Sequence, residues 1–158
     1  LEDASFDTVT STQTLEYLPD VDAAILECTR ILKGYGELLN ISILWDHFRF
    51  FGAEEKLNEK IHDAFRAHCS HQMLPMELPG KLTNIGYKNI KHQSLAFMIT
   101  SRAQDSPAIY TEEVMSFFAL RQGIDAGDVS DWRDQLKIAE TEGRFGFTSH
   151  PVLTSAVL

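Results

Sequence analysis

Apolar residues recur along the chain at two different periods, and the switches between them predict its elements. Ser5 to Ser11 (SFDTVTS) is a short β-branched run entered by Asp7, which predicts a buried strand. Pro19 opens a helix that Asp20 or the Leu18-Pro19 turn can cap. Val21, Ala24, Ile25, Cys28, Ile31 and Leu32 fall at helical spacing along it, and Lys33-Gly34 ends it. Glu37 to Leu44 (ELLNISIL) is mostly apolar with no helical period, as in a parallel strand covered on both faces. Strand, helix, glycine turn and strand make one βαβ unit of right-handed crossover.

A second helix is predicted over Ala53 to Cys69, where Leu57, Ile61 and Phe65 stand four apart in a narrow apolar stripe suited to a peripheral lid. Leu78 to Ile85 reads as a short helix with Pro79 in its first turn and Gly86 at its end. Lys88 to Thr100 alternates loosely, like a strand. After a polar linker from Ser101 to Pro107, Thr111 can cap a helix through Gln122, and Asp128 or Ser130 another through about Glu142, ended by Gly143. Arg144 to Leu158 holds two β-rich pieces broken at His150-Pro151, a bulge or a turn between hairpin arms. The expected class is α/β in one domain, 1–158. Its parts are a βαβ unit (1–44), a variable helical segment (45–87), and a strand, two helices and a terminal strand or hairpin (88–158).

Charge narrows the function. With 14 Lys plus Arg against 23 Asp plus Glu, the net charge is −9, so a basic face for nucleic acid is excluded. No apolar run approaches the roughly 20 residues of a membrane span, and no signal peptide opens the chain, which predicts a cytoplasmic protein. Cys28 and Cys69 read as reduced, buried thiols.

Residues Leu1 to Leu39 resemble the second half of a class I S-adenosylmethionine-dependent methyltransferase. The resemblance rests on Ser5-Phe6-Asp7, the turn Leu15-Glu16-Tyr17-Leu18, then Asp20, Glu27, Arg30, Leu32, Lys33 and Gly36. Gly34 and Tyr35 replace the family's usual proline and glycine. Trp45-Asp46, the Leu78-Pro79 helix and Asn84-Ile85-Gly86-Tyr87 fit more loosely, and the Trp-Asp pair with the two helices before the final strand resembles small-molecule methyltransferases of the ubiquinone and arsenite type. The family's glycine-rich turn and ribose-binding acid are absent, and no G-x-G here opens a helix. This implies the C-terminal part of a methyltransferase, from a truncated gene or partial clone, with only part of a cofactor site.

By this resemblance the fold is a partial doubly wound, Rossmann-like sheet. It would be mostly parallel with an antiparallel C-terminal strand, keep the 4-5-7-6 half of the family's strand order, and carry helices on its faces. Ser11, Thr12, Gln13, Leu15 and Glu16 would lie at the cofactor, at the carboxyl edge of the first strand; a solvated strand-to-helix turn is the plainer account. Asp46 and His47 could orient a small-molecule methyl acceptor or take its proton, against an ordinary loop after a strand. His62, His68, Cys69 and His71 match no zinc spacing, so no metal is expected there. Glu54-Glu55 and Glu112-Glu113 read as solvated first-turn acids, and Phe117, Phe118 and Trp132 as packing. The strand near Phe6 to Ser11 would be an exposed edge covered in a homo-oligomer. The competing function is a non-catalytic homodimerisation or interaction module built on the same half-fold.

Overall fold

A computed structural model describes residues 1–158. In chain order it contains β1 (Phe6–Thr12), α1 (Val21–Ile31), β2 (Leu32–Ile43), β3 (Arg49–Phe51), α2 (Glu55–Arg66), α3 (Leu74–Ile85), β4 (Lys88–Ser94), β5 (Phe97–Ile99), α4 (Pro107–Arg121), α5 (Ala126–Thr141), β6 (Gly146–Ser149) and β7 (Pro151–Val157). These form two compact units. One comprises Leu1–Asp46, Cys69–Ala96 and His150–Leu158, and the other His47–His68 and Phe97–Ser149. The division runs through the segment 45–87, so each unit is assembled from pieces distant in sequence.

The first unit is a sheet of order β1-β2-β7-β4, with β1 and β2 parallel and β7 antiparallel to both of its neighbours. This is the 4-5-7-6 half-sheet expected from the sequence, with β1 at the edge. Asp20 caps α1 by accepting the Ala23 N–H at 2.9 Å. The chain needs no spacer before β2, because Leu32 is already extended at the helix end. Tyr35 takes a left-handed φ of 68°, and a Cβ on Gly36 would sit 2.8 Å from Leu32 Cδ2 and 2.9 Å from the Lys33 carbonyl. Glycine at 36 is therefore dictated by close approach. Both α1 and α3 pack on one face of this sheet, where Val21, Ile25, Leu74, Leu78 and Leu82 bury themselves against Leu38 and Ala156. Each such side chain contributes about 2 kcal/mol.

Several boundaries differ from the sequence reading. Helix α3 starts at Leu74, with Pro75 in its first turn and Pro79 inside it. The loose strand over Lys88 to Thr100 is two strands in separate sheets, since β4 pairs with β7 while β5 pairs with β6. For the same reason β6 and β7 are not hairpin arms; the chain changes unit at His150. Ser106 rather than Thr111 caps α4, and Asp125 rather than Asp128 or Ser130 caps α5. In each case the earlier polar residue stands immediately before the first turn and reaches its free N–H groups.

The second unit joins a small sheet of order β3-β6-β5 to α2, α4 and α5. Phe50, Ile61, Trp132, Leu136, Met115 and Phe147 are fully buried in it. The stripe on α2 is wider than its apolar residues suggest, because Asn58 and His62 are buried too. Asn58 donates to the Phe50 carbonyl at 2.8 Å and accepts from the Trp132 indole at 2.8 Å. His62 Nε2 accepts the Phe50 N–H at 3.1 Å. Two polar side chains thereby satisfy both backbone groups of a residue in a three-residue strand. Glu112 is not the solvated acid that its position near a helix start suggests. It is fully buried, paired by the Arg102 guanidinium through two bonds of 2.9 Å and by Arg133 at 2.9 Å.

Candidate functional site

The site builds from the carboxyl edge of β1 and β2. Beyond Thr12, Gln13 adopts a left-handed φ of 45° and its N–H donates to the Ile41 carbonyl at 2.8 Å. This prolongs the parallel ladder by one bond before the chain enters a 3-10 turn, Leu15–Tyr17. Thr12 and Gln13 are consequently exposed, while Leu15 and Glu16 point inward. Leu15 joins the core with Val21 and Leu38.

Glu16 is fully buried. Its Oε1 accepts the Ile43 N–H at 3.4 Å, the Ser42 side chain bonds to it, and Oε2 has no partner. Burial pushes its carboxyl above the ordinary value, against those hydrogen bonds, which pull the other way. Its backbone carbonyl takes three donors from one loop: the N–H groups of Ser70 and His71 at 3.1 and 2.9 Å, and the Cys69 thiol at 3.3 Å. Burial holds that thiol up at about 11. Cys69 is therefore a structural donor that ties the segment before α3 to the turn after β1.

A polar row crosses the same sheet face. In register, Ser11 pairs with Asn40, Asn40 with Thr154, and Thr154 with His92. Asn40 Nδ2 donates to Ser42 Oγ at 2.7 Å, and His92 Nδ1 lies 3.1 Å from Thr154 Oγ1. Ser11 Oγ and Asn40 Oδ1 are buried without partners. The face thus changes from apolar at Leu38 and Ala156 to polar one row nearer the carboxyl edge. At that edge Ser94 Oγ lies 2.9 Å from His150 Nε2 and accepts the Ala96 N–H at 3.3 Å. The sequence reading passed over Asn40, Ser42, Ser94 and His150. Its available signal was the pair of polar residues at alternate positions of the otherwise apolar run ELLNISIL.

Asp46 and His47 follow β2 in a second 3-10 turn, Trp45–His47, and both side chains are exposed. Trp45 N–H donates to the Gln72 carbonyl at 3.0 Å, and the His47 carbonyl accepts from the Thr148 hydroxyl at 3.0 Å. Asp46 belongs to the first unit with Ser11 to Glu16, and His47 to the second. The histidines near the end of α2 serve packing. His62 is buried against β3, and His68 stacks on Phe65 with ring centroids 4.1 Å apart. No group of three or more His, Cys, Asp or Glu is arranged to hold a metal ion, and no helix is long and apolar enough to cross a membrane.

Residues 1–40 match the family described as a methyltransferase domain. The chain superposes on the YcgJ protein of Bacillus subtilis with a TM-score of 0.57 at 16% identity, covering 99% of this chain and 65% of that one. A SAM-dependent methyltransferase from Archaeoglobus fulgidus gives 0.50 at 14% identity, covering 100% and 62%. Phosphoethanolamine N-methyltransferase 2 of Haemonchus contortus, solved with phosphomonomethylethanolamine and S-adenosylhomocysteine, gives 0.51 at 18%, covering 99% and 34%. No curated protein matches the sequence. The fold is that of the class I methyltransferases, and this chain spans less than two thirds of the length of these three structures.

Proposed function

We propose that the chain is the acceptor-side part of a S-adenosylmethionine-dependent methyltransferase acting on a small molecule, with little or no activity alone. The observation that carries this reading is the turn at Thr12 to Glu16. A family-matching sequence there ends a parallel strand, exposes Thr12 and Gln13, and buries the unpartnered Ser11 Oγ beside them. Open α/β sheets bind ligands at such carboxyl ends.

These hydroxyl and amide groups fit the amino-acid end of the cofactor. Leu15 and Glu16 hold the turn from beneath. The rest of the cofactor has less to meet: Gly34 and Gly36 lie within β2 and cannot serve as a glycine-rich turn opening a helix. When bound, the cofactor supplies an electrophilic methyl group on a sulfonium. The chain's part is to orient the acceptor and exclude water, which suffices for many methyl transfers. Asp46 and His47 are the groups assigned to orient the acceptor or take its proton. The free edge of β1 favours a second, compatible reading, in which this half-fold associates with another copy through Phe6 to Ser11.

The test is a titration of the 15N-labelled chain with S-adenosylhomocysteine. Saturable shifts of the Ser11 to Thr14 amides and of Asp46 support the proposal. Shifts confined elsewhere, or none at millimolar ligand, contradict it.

A further inference from the structure

Helix α4 carries apolar residues on both of its faces. Ala108, Met115 and Ala119 are buried on one side together with Glu112 and Ser116. The opposite side presents Tyr110, Phe117 and Leu120, which are 71%, 57% and 47% exposed. Tyr110 and Phe117 stand two helical turns apart and Leu120 follows one turn on, so the three form a stripe along the helix. Two charges flank it: Glu113, which has no ion-pair partner, and Arg121, whose guanidinium lies 5.5 Å from the Phe117 ring centroid. An aromatic stripe of this kind on a net-acidic protein is the composition of an interface core.

We propose that this stripe is an interface between two copies of the chain, packed as antiparallel α4 helices about a twofold axis at Phe117. The charge pattern is what selects a second copy. With Phe117 facing its own equivalent, Glu113 faces Arg121 of the other copy and Arg121 faces Glu113, so one pairing is made twice. The same register sets the half-buried Val114 against Leu120, apolar against apolar. A parallel arrangement would instead stack Glu113 on Glu113 and Arg121 on Arg121. An isologous interface requires this kind of self-complementarity.

The ends of the helix agree with that choice. A groove of about 630 Å³ at the N-terminal end of α4 is lined by Asp105, Ser106, Tyr110 and Glu113. In the antiparallel register this acidic groove receives the end of the partner helix that carries Arg121. One helix stripe buries less than the roughly 1,200 Å² of a standard stable complex, so the dimer is weak and concentration-dependent. The surface includes no residue of β1 and is independent of the methyltransferase reading.

Sedimentation equilibrium of the full chain over a micromolar-to-millimolar series tests it with three variants. Glu113→Arg and Arg121→Glu each place like charges opposite one another and should weaken dimerisation by about tenfold or more. The double variant restores opposite charges at both contacts and should recover most of the original association. Because the double variant contains both changes, its recovery separates interface loss from misfolding. Single variants that dimerise like the parent, a double variant no better than either single, or a parent chain monomeric throughout would overturn the proposal.

Discussion

His62 makes the second unit sensitive to acid, by an amount that follows from its environment. Its ring is buried, and burial lowers its pKa from 6.5 to about 4, with the nearby Arg49 charge acting in the same direction. The neutral ring is the form that accepts the Phe50 N–H. Below pH 6.5 the unfolded chain takes up a proton that the folded chain refuses, so stability falls as the pH drops from about 6.5 to about 4 and levels off below that. At about 1.4 kcal/mol per pH unit the full loss is about 3 kcal/mol, of which about 2 kcal/mol appears between pH 7 and pH 5. His62→Gln retains an acceptor and removes the titration. Trp132 reports locally, since it packs edge-on against Phe50 with ring centroids 5.4 Å apart. Urea unfolding followed by Trp132 fluorescence in a Trp45→Phe background, at pH 7 and pH 5, gives the comparison. The parent should lose about 2 kcal/mol more than the His62→Gln protein over that interval. Parallel losses in the two proteins would refute the argument.

Other expectations follow from the same structure. Glu112→Ala leaves the Arg102 guanidinium buried without its carboxylate and should cost about 3 kcal/mol or more, read from chemical denaturation. Gly36→Ala forces a Cβ into Leu32 and the Lys33 carbonyl and should cost about 1–3 kcal/mol, visible as a lowered Tm. Glu16 has a raised pKa, so its contribution is complete at low pH and is lost as the pH rises through its folded value. Glu16→Gln should flatten that alkaline-side decline in a stability-versus-pH series. Cys69, with its thiol held at about 11 and donating to the Glu16 carbonyl, should react with a disulfide reagent at pH 8 only after unfolding.

The βαβ unit was legible in the sequence because its signals are local, whereas the strand order of the half-sheet followed from the resemblance. Asp20 stands where a helix cap can be, and the run from Glu37 to Leu44 has the continuous apolarity of an interior strand. The turn after β1 was legible as a place but not as a set of roles, since Thr12 and Gln13 face outward while Leu15 and Glu16 face the core. That distinction depends on the left-handed Gln13, which has no signal in composition. The second unit was largely hidden. Its sheet joins β3, β5 and β6 across about a hundred residues, and three-residue strands carry too few positions to show a period. Glu112 was misread for a related reason. An acid near a helix start is normally solvated, and only the distant Arg102 and Arg133 make its burial tenable.

We propose that the edge formed by β1 and β2 offers part of a cofactor site. Calorimetric titration of the purified chain with S-adenosylhomocysteine at about millimolar ligand, a range that detects a weak site, tests it most directly, with Gln13→Ala as the comparison. Saturable, stoichiometric heat that weakens in the Gln13→Ala protein is expected. Heat indistinguishable from dilution, or binding indifferent to Gln13, would contradict it.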